Sequence, residues 1–152
     1  MIDKIRVLII DEHRAVCQAL SNRLNAAPTI NVVGSEPDFI DGLAGARTLM
    51  PDVILLELKN LREGNGESRG SDPTAIISRL LECCTSAVIV LTSYADEQER
   101  SGALQAGARR YLLKDIDTVR LVAEIEAVAL ETRAMPPGAH ARSQSEDEQP
   151  RA

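Results

Sequence analysis

Ile5-Arg6-Val7-Leu8-Ile9-Ile10-Asp11-Glu12 is a short, almost unbroken apolar run that stops on two acids. Its brevity and β-branched residues mark a strand covered on both faces, because a strand with one wet face alternates apolar with polar. The pattern returns at Val53-Ile54-Leu55-Leu56, which runs into Glu57, and at Ala87-Val88-Ile89-Val90-Leu91, which runs into Thr92 and Ser93. Ile30 to Val33 reads as a second strand, and Tyr111 to Leu113, ending on Lys114, as a fifth. Between them lie helical spacings: Val16, Leu20 and Leu24; Ile40, Leu43 and Leu49 with Arg47; Ile76, Ile77, Leu80 and Leu81. Asp96 with Glu99 reads as the capping pair that opens a fourth helix, Gly107 as its C-cap, and Asp117 or Thr118 as the cap of a fifth over 119–132. Five βα units joined by right-handed crossovers give an α/β, doubly wound domain, a parallel sheet with helices on both faces.

The 152 residues suit one domain of ordinary size, with 1–134 carrying the pattern and 135–152 reading as a disordered tail or truncated linker without apolar period. Hydrophobic residues at 44% suffice for a core. Aromatics at 2% leave no platform for stacking bases, and a net charge of −6 opposes a polyanion, so direct nucleic-acid binding by this domain is not expected. Three cysteines, Cys17, Cys83 and Cys84, form no CxxC and no zinc pattern, which fits a reducing, cytoplasmic setting. No stretch is long enough for a signal peptide or a membrane span. Residues 59–72, with three glycines and mixed charge, are long for a βα connection of about 2–6 residues and are expected to be mobile.

In open α/β sheets ligands sit outside the carboxyl ends of the strands. With a 2-1-3-4-5 strand order, Asp11, Glu12 and Glu57 converge there, opposite the hydroxyl of Thr92 and the ammonium of Lys114. Clustered carboxylates repel unless a cation neutralises them, and oxygen-only donors favour Mg²⁺ or a similar hard ion. The constellation therefore predicts a divalent-cation pocket.

The segments Ile-Ile-Asp-Glu-His (9–13), Pro-Asp-Val-Ile-Leu-Leu-Glu-Leu (51–58), Val-Ile-Val-Leu-Thr-Ser-Tyr (88–94) and Gly-Ala-Arg-Arg-Tyr-Leu-Leu-Lys-Asp (107–115), in this order, resemble the receiver domain of bacterial two-component response regulators. The last resembles in particular receivers that precede a LuxR-type helix-turn-helix, although no such motif follows here. The resemblance spans about residues 4–133 and implies a flavodoxin-like, CheY-like (βα)5 fold. It also implies roles. Asp11, Glu12 and the carbonyl of Lys59 match Mg²⁺ ligands, with Glu57 beside them; Thr92 matches the hydroxyl that meets the phosphoryl group, Tyr111 the aromatic switch, and Lys114 the phosphoryl-contacting cation. The departure is Glu57, which stands where the family has its phospho-accepting aspartate.

Glutamate is longer by one methylene, about 1.5 Å, and an error of about 1 Å in the attacking oxygen can cost roughly a hundredfold. Phosphorylation is therefore expected to be weak or absent, and Mg²⁺ binding weak. The longer side chain also carries its charge toward Thr92 and Lys114, a partial imitation of an aspartyl phosphate, which brings more charge and more acceptor oxygens. The plainer alternative is a salt bridge to Lys114 that fills a defunct pocket. The chain thus reads as a noncatalytic signalling module acting by protein contact, with a histidine kinase or an output protein as partner. The face of the fourth helix, fifth strand and fifth helix is the expected partner or homodimer surface, with Leu121, Ile125 and Val128 of the fifth helix at a helical spacing and partly in the core. A phosphorylatable Mg²⁺-dependent receiver, accepting at Glu57 or Ser93, is the alternative. A flavodoxin-like cofactor binder is remote, since Asp11 to Val16 contains no phosphate-cradling glycine. His13 reads as an exposed helix-entry residue, His140 as idle, and Cys83 and Cys84 as small packing groups.

Overall fold

The computed structural model describes residues 3–59 and 73–134. The chain alternates β1 (Ile5–Ile10), α1 (Arg14–Asn25), β2 (Ile30–Glu36), α2 (Phe39–Leu49), β3 (Val53–Leu56), α3 (Pro73–Cys83), β4 (Ala87–Thr92), α4 (Glu97–Ala106), β5 (Arg110–Leu113) and α5 (Thr118–Ala134). The five strands are parallel in the order β2-β1-β3-β4-β5, as expected of a flavodoxin-like doubly wound domain. The expected mobile loop, but for Lys59, and the tail from Met135 lie outside the described residues.

Side chains alternate across each strand, so one set of strand residues serves each face. Val7, Ile9, Val53, Leu55, Ile89 and Leu91 meet Leu20 and Leu24 of α1 and Leu121, Ile125 and Val128 of α5. Leu8, Ile10, Ile54, Leu56, Val88 and Val90 meet Phe39 and Leu43 of α2, Ile76, Ile77 and Leu80 of α3, and Ala103 and Ala106 of α4. A two-sided core explains why the central strands carry no polar alternation.

Several local expectations shift. In α2 the buried stripe is Phe39, Leu43 and Ala46, whereas Ile40 is 46% exposed; the helix begins one residue earlier than its apolar spacing suggested, and the aromatic takes the inward position. The whole set Leu121, Ile125 and Val128 is core, so α5 offers Val119 and Leu130 to solvent instead. Asp96 does cap α4, accepting from the backbone N–H of Gln98 and Glu99. Glu99 does not complete the reciprocal box, because the Asp96 N–H donates to the Tyr111 hydroxyl (3.2 Å). Asp117 caps α5 through the N–H of Val119 (3.1 Å). Gly107 closes α4 at φ 119, a left-handed conformation for which glycine has no steric penalty.

Gly42 lets α2 lie directly on β1. A Cβ there would stand 2.6 Å from Ile10 Cδ1, with Cγ1 and Cγ2 at 2.9 and 3.0 Å, so the entire buried side chain would have to move. Gly42→Ala is expected to lower stability by about 1–3 kcal/mol despite the better helix propensity of alanine. A urea midpoint equal to wild type would show that the helix shifts freely.

Candidate functional site at the carboxyl edge of the sheet

Backbone pairing carries the sheet one residue beyond each strand and so sets the site. The Asp11 N–H donates to Glu36 O (3.0 Å), the Glu57 N–H to Ile10 O (3.0 Å), and the Lys114 N–H to Thr92 O (2.7 Å). Asp11, Glu57 and Lys114 therefore leave β1, β3 and β5 at one level. Their side chains meet. Lys114 Nζ lies 2.5 Å from Asp11 Oδ2 and 3.1 Å from Glu57 Oε1. The two carboxylates are 4% and 5% exposed and Lys114 is 13% exposed, so the ammonium bridges two buried anions out of reach of most water.

Backbone amides complete the shell. Glu57 Oε2 accepts from the Lys59 N–H (3.0 Å) and Oε1 from the Ser93 N–H (3.4 Å). Asp11 Oδ1 accepts from the His13 N–H (2.9 Å), with the ring Nδ1 of the exposed His13 at 3.1 Å. Burial works against the Lys114 ammonium, but its hydrogen bond to Asp11 and the negative charges of Glu57 and Asp11 outweigh burial and hold its pKa above the ordinary lysine value.

Thr92 is wholly buried, and its hydroxyl is engaged by Tyr94, donating to Tyr94 O and accepting from the Tyr94 N–H, both at 3.3 Å. Tyr111 is half-buried with its hydroxyl on the Asp96 N–H; burial pushes that phenol up, the Asp96 hydrogen bond pulls it back in part, and Glu99 adds to the rise. Glu12 is partly buried beside Asp11. So of the residues singled out in the sequence, Asp11, Glu57 and Lys114 come together, while Thr92 and Tyr111 flank them with other partners.

The Lys59 side chain is a contact that sequence reading missed. It forms an ion pair with Glu99 of α4 and lies 5.8 Å from the centre of the Tyr94 ring. The pair spans 40 positions in the chain, and no local spacing announces it. Burial lowers the Lys59 ammonium's pKa less than Glu99 raises it, so this lysine too is held above its ordinary value. Lys59 thus ties the start of the β3–α3 connection to α4 by its side chain and holds Glu57 by its amide.

The donors near Asp11 suit a hard cation in kind, being oxygens, but not in arrangement. Among the described residues no three His, Cys, Asp or Glu side chains gather as a cation-holding group, and the Lys114 ammonium already sits between Asp11 and Glu57. The triad is a compact ion cluster of two carboxylates and one ammonium that keeps a net negative charge, and any incoming cation has to compete with that ammonium.

Comparison with known proteins agrees with the fold. Residues 7–126 match the response regulator receiver domain. The chain is 38% identical over 125 residues to the transcriptional regulatory protein LiaR of Bacillus subtilis, covering 82% of this chain and 56% of LiaR. It is 31% identical to the DNA-binding transcriptional activator DevR/DosR of Mycobacterium tuberculosis, covering 82% of this chain and 54% of that protein. It thus spans about half the length of the curated relatives it matches. The signal receiver domain of NarL from Mycobacterium tuberculosis superposes with a TM-score of 0.70 at 25% identity, covering 85% of this chain and 98% of that domain. With the fold, the strand order and a match across most of its length in agreement, this chain belongs to the response regulator receiver domain family.

Proposed function

We propose that this chain is an atypical receiver of two-component signalling that acts by protein contact, with weak or no phosphorylation. The observation that carries the reading is the engagement of Glu57: both its oxygens are already held, by Lys114 and by the amides of Lys59 and Ser93. A nucleophile in a phosphotransfer site has to present a free oxygen in line with the phosphorus at near-attack distance. Here that oxygen is longer-reaching than an aspartate's and is tied into an ion pair. Lys114, the cation that would steady a phosphoryl oxygen, instead steadies Glu57, which supports a constitutive and partial imitation of the modified state. Thr92, bonded to Tyr94, takes no part in that imitation.

Partners by this reading are a histidine kinase or an output protein, reached through the surface of α4, β5 and α5. Exposed Leu113 and Val119 supply apolar contact there. The competing reading is a conventional Mg²⁺-dependent receiver; the presence of Asp11, Glu12 and Lys114 in the sequence supports it, as does Ser93, an exposed residue whose amide contacts Glu57. Incubation with acetyl phosphate and Mg²⁺, read by intact-protein mass, separates the two. The proposal expects a largely unmodified chain, and stoichiometric labelling overturns it.

Mg²⁺ is expected to bind weakly, because it must displace Lys114 from Asp11 and because Glu57 cannot hold the near-octahedral geometry at about 2.0–2.1 Å that this ion demands. Isothermal titration should give a shallow heat for the wild type and none for Asp11→Asn. Equal affinity in the two would place the ion elsewhere.

A further inference from the structure

Cys83 and Cys84 stand at the end of α3, at the opposite edge of the sheet from Glu57, because they precede β4 whereas Glu57 follows the parallel β3. Both are free, partly exposed thiols. Both aim at one atom: Cys83 Sγ donates to Leu80 O at 3.3 Å and Cys84 Sγ to the same oxygen at 3.1 Å. Two adjacent residues do not usually present side chains to one side of a helix, since successive positions are about 100° apart. The pair converges here because α3 ends at Cys83, so Cys84 is free of helical geometry and folds back on the last turn. The sulfurs interact with each other as well as with Leu80, and the Arg47 guanidinium lies alongside Cys83.

We infer that Cys83 and Cys84 form a vicinal dithiol site that chelates a trivalent arsenical, arsenic(III) bearing one substituent. Soft thiol donors select soft acceptors. Zinc would need four ligands, and among the described residues no third His, Cys, Asp or Glu joins the pair. Monosubstituted arsenic(III) needs two sulfurs and no more. Burial, then the neighbouring Cys84, pushes the Cys83 thiol up to about 11, so at neutral pH Cys83 is protonated and slow toward reagents that need a thiolate. Condensation with an arsenic(III) oxide uses thiols as they are. Two As–S bonds form as the As–O bonds break, the two thiol protons leave with the oxygen as one water, and neither arsenic nor sulfur changes oxidation state. The second sulfur closes the ring intramolecularly, which makes the chelate far tighter than two separate thiols would.

The test uses phenylarsine oxide on the native full chain, with excess 2-mercaptoethanol present, read by intact-protein mass and peptide mapping. The expected result is one phenylarsenic group per chain, with one water lost, on the peptide that carries Cys83 and Cys84. It should survive the monothiol and be removed by 2,3-dimercaptopropanol. Cys83→Ser and Cys84→Ser, whose hydroxyls can still donate to Leu80 O, should each lose the monothiol-resistant adduct. Mapping to Cys17, stripping by 2-mercaptoethanol, labelling only after unfolding in urea, or a resistant adduct in either serine variant would each overturn the inference. The mapping on wild-type protein decides the matter even if a variant fails to fold.

Discussion

Glu57→Asp is expected to turn a chain that acetyl phosphate leaves largely unmodified into one that it labels in the presence of Mg²⁺, a gain of roughly a hundredfold or more in rate. The substitution withdraws the carboxylate by one methylene, about 1.5 Å. It thereby loosens the contact with Lys114, now 3.1 Å, and leaves Lys114 available to a phosphoryl oxygen. The backbones of Asp11 and Lys114 stay where pairing to Glu36 and Thr92 sets them, and Mg²⁺ has only to displace the Lys114 ammonium from Asp11. The same geometry predicts that beryllofluoride, which completes an aspartate into a phosphate-like group, engages the variant and not the wild type. Intact mass reports the first result and a Mg²⁺-dependent shift in melting temperature the second. Robust labelling of the wild-type chain at Glu57, or a variant that stays unlabelled while folded, contradicts the assignment of this position.

Lys114→Met should be the most destabilising single change at the site. It keeps the length of the stem but leaves Asp11 and Glu57, 4% and 5% exposed, facing each other without a cation. Removing one partner of a buried ion pair typically costs about 3–5 kcal/mol, because the remaining charge cannot return to water. Against a total stability of about 5–15 kcal/mol, that is a large fraction. A loss below about 1 kcal/mol, as for an exposed pair, would mean that water reaches the cluster. The two carboxylates, once released, should bind Mg²⁺ more tightly in Lys114→Met than in wild type, so the ion should recover part of the loss.

The cluster also has a pH signature. The folded Lys114 pKa lies above its ordinary 10.5, so folding holds a proton that the unfolded chain releases first. The contribution of Lys114 is therefore complete below about pH 10.5 and falls as pH rises through the folded value. Lys59, raised by Glu99, titrates in the same direction. The gap in stability between wild type and Lys114→Met isolates Lys114: it should be constant at neutral pH and narrow above pH 10.5. Denaturant midpoints measured across that range supply the check.

The apolar runs at Ile5–Ile10, Val53–Leu56 and Ala87–Leu91 were enough to place three buried parallel strands, while the 2-1-3-4-5 order followed from the flavodoxin-like topology expected of five successive βα units. Helical spacing of 3.6 residues is a local property, and burial on both faces leaves an unbroken apolar run in each central strand. The same reasoning located the site, because parallel strands put Asp11, Glu57, Thr92 and Lys114 at one edge whatever their side chains do. What those side chains do was decided by packing. Lys114 bridges Asp11 and Glu57, while Thr92 turns to Tyr94 and Glu99 leaves its capping role for Lys59. Each of these is a choice among partners brought together by the fold from distant parts of the chain, settled by rotamers, burial and competing charges. Ile40 gives the converse case within a single helix: its spacing allowed burial, but Phe39, wholly buried, holds the inward position in α2. Cys83 and Cys84 converge on Leu80 for a tertiary reason as well, since β4 begins three residues beyond Cys84 and the chain must leave α3 there. A linear pattern records which face a residue can occupy; only the folded chain, where charges lose their water and must find one another, records with whom.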